Sequence, residues 1–225
     1  MIPLLLFLSL SLGGCERVDA AGFPEDDLEL RIERVNEGQL RFLEHPPQRP
    51  VHHHSNRIRI TRSSLTDGWV ALEQCHNHLD AVSAVQILYH PERIRAIRIL
   101  SSEGIGVSRV QDHSVQLQDV GDGARLCLQA ESRALRQLPN GGLLLQNGPY
   151  MRRFLDGYYP MRVSLEIRYP ADLLRLEGRE PGTQAGFRLR ERPGLIEVDT
   201  WFEGRLFTRF TFCRKGSAGC ENRKK

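Results

Sequence analysis

The stretch MRVSLEIRY, residues 161–169, decides the fold class. Its apolar and polar side chains alternate without a break. In a β-strand, successive side chains point to opposite faces, so a period of two places all apolar residues on one side. The apolar set comprises Met161, Val163, Leu165, Ile167 and Tyr169. The stretch therefore predicts a strand with one face on a core and the other in water.

The same alternation recurs along the chain between short turn signals rich in glycine, asparagine and proline. It is found in residues 56–61, 85–89, 114–120, 124–130, 186–190 and 205–212. This pattern predicts an all-β fold with few short helices, namely an antiparallel β-sandwich, with an open or partly closed β-barrel as the alternative. Near Ala96 the apolar phase slips by one residue, which predicts a bulge or a strand change.

The first fifteen residues, MIPLLLFLSLSLGGC, form an apolar run that ends in two glycines and a cysteine. The run is too short to cross a bilayer as a helix and is typical of a signal peptide. Leu12, Gly13, Gly14 and Cys15 together resemble the lipobox of bacterial lipoproteins. The resemblance implies cleavage before Cys15 and acylation of that cysteine. Glu16, as the next residue, implies sorting to the outer membrane and a domain that faces the periplasm.

The remaining chain divides into a tether, a domain and a tail. We expect a signal peptide over residues 1–14, a lipidated tether over 15–26 and a β-sandwich domain over 27–213. Within that domain, residues 27–50 form an N-terminal hairpin and linker. Residues 214–225 form a basic tail. The net charge of +3 is too small for its length to favour nucleic acid as a partner.

Five cysteines become four when Cys15 carries the lipid. Four cysteines allow three pairings, and the sequence alone does not choose among them. The pairing that we favour joins Cys75 to Cys127 and Cys213 to Cys220. An exported location is oxidising and suits such bonds.

The sequence contains no motif that dictates a catalytic reaction or a cofactor. Glu197, Asp199 and Glu203 are the best carboxylates for glycoside chemistry, but their alternation with apolar residues favours the solvated face of a strand. His76 and His78 are candidate metal ligands, because a strand would place both on one face. No carboxylate lies at a spacing that is diagnostic of a metal site, so the sequence does not predict one. The triplet at residues 52–54 lies beside prolines and is interpreted as a solvated loop.

Residues 148–160, GPYMRRFLDGYYP, are the best candidate for an interface. Tyrosine, arginine, methionine and phenylalanine are enriched in interface cores, since they bury a large area at modest entropic cost. The predicted interface residues are Tyr150, Arg152, Arg153, Tyr158 and Tyr159. The alternative is a well-packed turn in which Phe154 and one tyrosine are buried and Asp156 pairs with an arginine.

These observations favour a lipid-anchored, non-enzymatic binding or assembly module of the cell envelope. Its expected partners are the membrane, through the lipid, and an envelope protein or glycan. An envelope hydrolase that uses the acidic residues near 197–203 is one alternative, and a carrier of lipids or small ligands is another. The arginine-rich polar faces of the strands are the second candidate surface.

Overall fold

A computed structural model describes residues 38–154, 156–217 and 220, and nearly all of its regular structure is β. One short helix, α1 (Ser64–Asp67), and one 3₁₀ turn (Pro91–Arg93) interrupt the strands. The strands are β1 (Arg41–Leu43), β2 (His53–Arg59), β3 (Val70–Leu79), β4 (Val82–Leu88), β5 (Ile94–Gln111), β6 (Ser114–Ser132), β7 (Leu135–Gln137), β8 (Leu143–Tyr150), β9 (Arg152–Phe154), β10 (Gly157–Tyr159), β11 (Met161–Arg168), β12 (Leu174–Glu180), β13 (Phe187–Arg192), β14 (Leu195–Glu203) and β15 (Leu206–Arg214).

The larger sheet has nine strands, in the order β1-β14-β11-β2-β3-β6-β4, with β13 also on β14 and β5 also on β6. All of these pairings are antiparallel except that of β2 with β11. A parallel pairing needs a long connection, and here more than a hundred residues separate the paired His53 and Arg162. The single parallel pair is a departure from the purely antiparallel fold that the sequence predicted.

The smaller sheet has four strands, in the order β12-β15-β8-β7, and it packs against the larger one. The alternation in β11 is as predicted, with Met161 and Ile167 among the side chains that are fully buried. Four phenylalanines at residues 187, 202, 210 and 212 fill the space between the sheets. Neither sheet closes into a barrel, so the predicted β-sandwich is confirmed.

A second, smaller core lies where β4, β5 and β6 extend beyond the sandwich. Strands β5 and β6 form a hairpin of 18 and 19 residues whose inner face buries Val115, Leu126 and Leu128. The register of β5 shifts between Arg95 and Arg98, and Ala96 has a φ of 53°. The predicted irregularity near Ala96 is therefore a β-bulge.

Two disulfides are present, in the pairing that the sequence favoured. Cys75 of β3 and Cys127 of β6 are direct cross-strand neighbours. Their bond joins the strand that borders the sandwich core to the strand that carries the second core. The other bond, between Cys213 and Cys220, closes a short loop after β15.

Several predicted segments lie outside the described residues, namely the signal peptide, the tether with Cys15, most of the N-terminal hairpin and residues 221–225. Of that hairpin, Arg41–Leu43 is described, and it forms β1 on the edge of β14. None of the helices in the described part of the chain has the length and apolar character that a bilayer crossing requires.

Candidate functional site

The predicted interface stretch folds into a small hairpin of β9 and β10, which forms a two-stranded sheet of its own. Arg152 pairs with Tyr159 and Arg153 with Tyr158 across the two strands. The guanidinium of Arg152 lies 5.3 Å from the Phe154 ring centroid and 5.7 Å from that of Tyr159. On the other face, Arg153 lies 5.5 Å from the Tyr158 ring centroid. Each face thus carries an arginine on an aromatic ring, which orders both side chains.

The hairpin is more engaged with the rest of the molecule than an open interface would be. Tyr150 is buried, and its hydroxyl accepts a hydrogen bond of 2.9 Å from Asn56, so its assignment as an interface residue is wrong. Arg152 binds both carboxylate oxygens of Asp80, which follows β3, through its Nε and one of its terminal nitrogens. Tyr158 and Tyr159 are half-buried.

The packed-turn alternative is also wrong in two respects. Phe154 is 40% exposed and does not enter the core. Asp156 accepts a hydrogen bond from the Tyr159 hydroxyl, while the carboxylate that holds an arginine is Asp80. Of the five predicted interface residues, only Arg153 is well exposed, and Met151 and Phe154 beside it are exposed as well.

Three histidines form a polar network beneath this region, in which His76 is buried and His52 and His54 are half-buried. His52 Nε2 lies 3.0 Å from His76 Nδ1, and the Gln74 amide nitrogen lies 2.8 Å from His54 Nε2 and 3.0 Å from His76 Nε2. Tyr89 donates to the Gln74 carbonyl at 2.9 Å. These hydrogen bonds offset the cost of placing polar groups in an apolar environment.

The location of these histidines corrects two expectations from the sequence. Residues 53 and 54 belong to strand β2 and are not in a solvated loop, and His54 stands directly opposite His76 on β3. His78 lies within a register shift that runs from His76 to Leu79, and it has a φ of 54°. Because of this bulge, His78 is exposed while His76 is buried, so the two do not form a shared site.

Burial keeps the network uncharged at neutral pH. Desolvation lowers the pKa of His52 to about 4, against a smaller raising effect of Asp80, and lowers the pKa of His54 to about 3. It also holds the pKa of His76 well below its ordinary value. Neutral imidazoles are metal ligands, yet the donor atoms of these rings do not converge. Among the described residues, the group that does converge is Glu177 with Cys213 and Cys220, whose sulfurs are joined in a disulfide.

A second polar cluster lies on the opposite, outer face of the nine-stranded sheet. His53 Nε2 lies 2.8 Å from Ser164 Oγ, and Ser164 donates to Asp199 Oδ1 at 3.2 Å. Arg162 binds both oxygens of Asp199, at 2.8 and 3.1 Å. Burial alone would raise the pKa of Asp199, but the bonds and charge of Arg162 and the bond from Ser164 outweigh it, so this pKa is lowered.

The cluster contains serine, histidine and aspartate, but not in the order of a hydrolase triad. In a triad the aspartate orients the histidine, which then removes the proton of the serine. Here Asp199 binds Ser164 and Arg162, and among the described residues no hydrogen bond joins it to the His53 ring, so no carboxylate orients the imidazole. Burial, with Arg162 next in size, also lowers the pKa of His53 to about 4, which makes it a weak base. The arrangement is that of a hydrogen-bonded chain which fixes side chains in place.

The three acidic candidates on β14 lie on this outer face, as a solvated strand face requires, and each has an arginine partner. Asp199 binds Arg162, Glu197 binds Arg192 at 2.9 Å and Glu203 binds Arg41 at 2.6 Å. A pair of carboxylates for glycoside hydrolysis needs one free base and one acid of raised pKa. The ion pairs favour a structural role for these residues.

A shallow depression of about 290 Å³ lies over this cluster. The residues that line it carry three negative and three positive charges. Each of its carboxylates already has an arginine: Asp199 has Arg162, Glu197 has Arg192, and Glu166 has Arg168 at 2.7 Å. The remaining lining cations are Arg188 and Arg190 on β13. Neither of these two lies within ion-pair distance of a carboxylate in the described residues.

Trp201 stands at the border of this depression between two cations. The guanidinium of Arg162 lies 4.7 Å from its ring centroid, and that of Arg188 lies 5.1 Å away. Cation–π contacts of this kind hold the guanidinium groups in fixed positions. The sequence did not single out Ser164 or Trp201, and it placed His53 in a solvated loop. The contact of His53 with Ser164 depends on the parallel pairing of β2 with β11, and that of Trp201 with Arg162 on the pairing of β11 with β14.

A larger depression of about 560 Å³ lies at the end of the sandwich, between Phe42 of β1 and Phe207 of β15. Leu40, also in its lining, is two residues from the first described residue. Its rim is already neutralised in part by the ion pair of Arg209 with Glu180. We assign no site to it.

No family model and no curated protein matches the chain. Among solved structures, it is similar to the M1 zinc metallopeptidase of Deinococcus radiodurans. A mutant of that enzyme bound to a Tyr-Ser-Ala substrate shows 12% identity over 72% of this chain, with a TM-score of 0.40. The unsubstituted enzyme shows 14% identity over 79% of this chain, with a TM-score of 0.38. In both cases the chain spans 42% of the length of the matched structure. A likeness this weak carries no argument about function.

Proposed function

We propose that this protein is a lipid-anchored module of the cell envelope that binds or assembles other envelope components without catalysing a reaction. The anchor is supported by the apolar run and the Leu12 to Cys15 motif. The two disulfides suit an oxidising compartment. Glu16 after the cysteine favours the outer membrane, with the domain in the periplasm.

The binding surface that we propose is the depression on the outer face of the nine-stranded sheet. The observation that carries this choice is that the acidic residues of the lining are already paired, while two of its arginines are not. Every carboxylate in the lining has an arginine at ion-pair distance, whereas Arg188 and Arg190 form no such pair within the described residues, although the charge of Arg188 also acts on Asp199. Guanidinium groups make directed, charge-assisted bonds to carboxylates and phosphates. An envelope protein or glycan that carries acidic groups fits this surface best.

This surface replaces the hairpin as the candidate for partner binding, because Tyr150 and Arg152 are committed to contacts inside the protein. The hydrolase alternative is weaker, since Asp199 binds Ser164 and Arg162 and does not orient the His53 ring within the described residues. The carrier alternative requires an apolar interior cavity, whereas the sandwich interior is filled by phenylalanine side chains such as Phe187 and Phe202.

The first prediction concerns the anchor. Mass spectrometry of the protein purified from cells is expected to show a mature N-terminus at Cys15 that carries acyl chains. Inhibition of the lipoprotein signal peptidase should cause the uncleaved form to accumulate. A mature N-terminus at any other residue, or an unmodified Cys15, would contradict the anchor.

The second prediction concerns the depression. A photo-crosslinking residue in place of Glu166 should capture an envelope protein or glycan in cells. In the Arg188→Ala/Arg190→Ala variant, this capture should fall about tenfold or more, since each charge-assisted bond contributes about 1.5–3 kcal/mol.

The matched control is Arg93→Ala/Arg136→Ala, which removes two exposed arginines outside the depression. Capture from position 166 should be unchanged in that variant. Equal capture in both double variants would show that the two free guanidinium groups do not recognise the partner. The same would follow if position 166 captured nothing while the hairpin position Tyr158 did.

A further inference from the structure

We propose that the β9–β10 hairpin is the element through which the domain rests on the lipid surface, where it inserts aromatic and apolar side chains among the headgroups. This inference rests on the proposed lipid anchor. Partner binding at the depression does not involve the hairpin, so the hairpin is available for a separate role.

The first observation is the place at which the chain enters the described domain. Gly38 lies directly against Tyr158 of the hairpin: a Cβ added to Gly38 would stand 3.0 Å from the Tyr158 ring. Its φ of 112° is also a backbone angle that residues other than glycine rarely adopt. The described domain therefore begins beside the hairpin. Only 23 residues separate Cys15 from Gly38, so this part of the domain stays within about 80 Å of the acylated cysteine.

The second observation is the chemistry of the exposed side chains. Met151 and Phe154 are 42% and 40% exposed, and Arg153 beside them is exposed. Aromatic side chains are favoured at the border between headgroups and acyl chains. Arginine can bury its aliphatic stem there while its charge stays in water. Anchoring by the lipid raises the effective concentration of the membrane, so a weak contact of this kind is sufficient to orient the domain.

The third observation is that the charges of the hairpin are balanced. Arg152 is paired with Asp80, and Asp156 accepts a hydrogen bond from the Tyr159 hydroxyl. With Arg153 as the remaining cation and Asp156 as the remaining anion, the hairpin and its Asp80 partner carry no net charge. The contact is therefore one of apolar and aromatic insertion, and it should depend little on salt or on the content of anionic lipid.

Exposed apolar side chains also occur on β5, and they supply the matched control. Leu100 is 45% exposed, which is close to the value for Phe154. It lies at a register shift of β5 between Ile99 and Ser101, and not in the β9–β10 hairpin. Membrane contact at Phe154 and its absence at Leu100 would distinguish insertion of the hairpin from unspecific adhesion of apolar surface.

The test uses the full, acylated protein in vesicles of phosphatidylethanolamine and phosphatidylglycerol, with and without dibrominated acyl chains. Tryptophan is introduced as Phe154→Trp or as Leu100→Trp, and the signal of the unsubstituted protein, with Trp69 and Trp201, is subtracted. Bromine quenches tryptophan that reaches the acyl region. We expect the emission from position 154 to fall about twofold or more, at low and at high salt, while position 100 is unaffected.

Flotation of the same samples distinguishes a failure of the hairpin contact from a failure of the lipid anchor. Protein that floats with the vesicles but is quenched no more at position 154 than at position 100 would overturn the hairpin contact and leave the anchor intact. Protein that does not float would contradict the anchor and, with it, the contact that depends on it. Capture of a protein by a crosslinker at Arg153 in cells, together with no quenching in vesicles, would assign the hairpin to a protein partner instead.

Discussion

At pH 5 the free energy of unfolding is expected to be lower than at pH 7 by at least about 4 kcal/mol. His52 and His54 together account for that amount, and the lowered pKa values of His53 and His76 add to it. His52 and His54 are held neutral by burial, with pKa values of about 4 and about 3 in the folded protein against 6.5 as the ordinary value. Above pH 6.5 neither the folded nor the unfolded state binds these protons, so stability does not change. As the pH falls below 6.5, the unfolded state binds them first, and each histidine costs roughly 2 kcal/mol at pH 5.

Urea unfolding at pH 7 and at pH 5 would measure this loss. His52→Gln should reduce the difference between the two pH values by about 2 kcal/mol, because one of the four histidines with a lowered pKa is gone. The control is His45→Gln, at an exposed position outside the network, which should leave the difference unchanged. If the wild-type protein has the same stability at both pH values, the buried histidines are not neutral in the way that the structure implies.

Removal of the disulfide between Cys75 and Cys127 is expected to reduce the free energy of unfolding by a similar amount. Its loop spans 52 residues, for which the loss of chain entropy in the unfolded state corresponds to about 4 kcal/mol. The bond also joins neighbouring strands that border different cores, β3 at the sandwich and β6 at the extension. The Cys75→Ala/Cys127→Ala variant avoids a free thiol.

The matched control is Cys213→Ala/Cys220→Ala, which removes a bond with a separation of only 7 residues. Its expected cost is about 2 kcal/mol in the same model. Thermal and urea unfolding of both variants at pH 7 would give the two values. An equal loss in both variants would show that loop length does not determine the contribution of these bonds.

Much of the fold could be predicted from local patterns. The period of two in residues 161–169 identifies a strand and its buried face without knowledge of its neighbours, and the slip near Ala96 identifies a bulge. These features depend on nearby residues only. The pairing of strands does not, because many registers are compatible with one alternating pattern. The parallel contact of β2 with β11 therefore could not be foreseen.

The candidate site was harder to predict from the sequence for the same reason. His53 and Ser164 meet only because their strands are neighbours in that parallel pair. The histidine triplet was misread because the prolines before it suggested a loop, whereas strand β2 begins at His53 and places residues 53 and 54 on opposite faces. Tyr150 was misread since aromatic residues at the end of a strand serve interfaces and cores alike.

The large sequence separation of the β2 and β11 pair has a consequence for the order in which the chain folds. His53 cannot meet Arg162 until more than a hundred further residues have been synthesised. By then the local hairpin of β5 and β6 and the cysteines at 75 and 127 are already present. Contacts between distant residues form slowly, so the extension and its disulfide assemble first. The middle of the nine-stranded sheet is then closed by the last third of the chain.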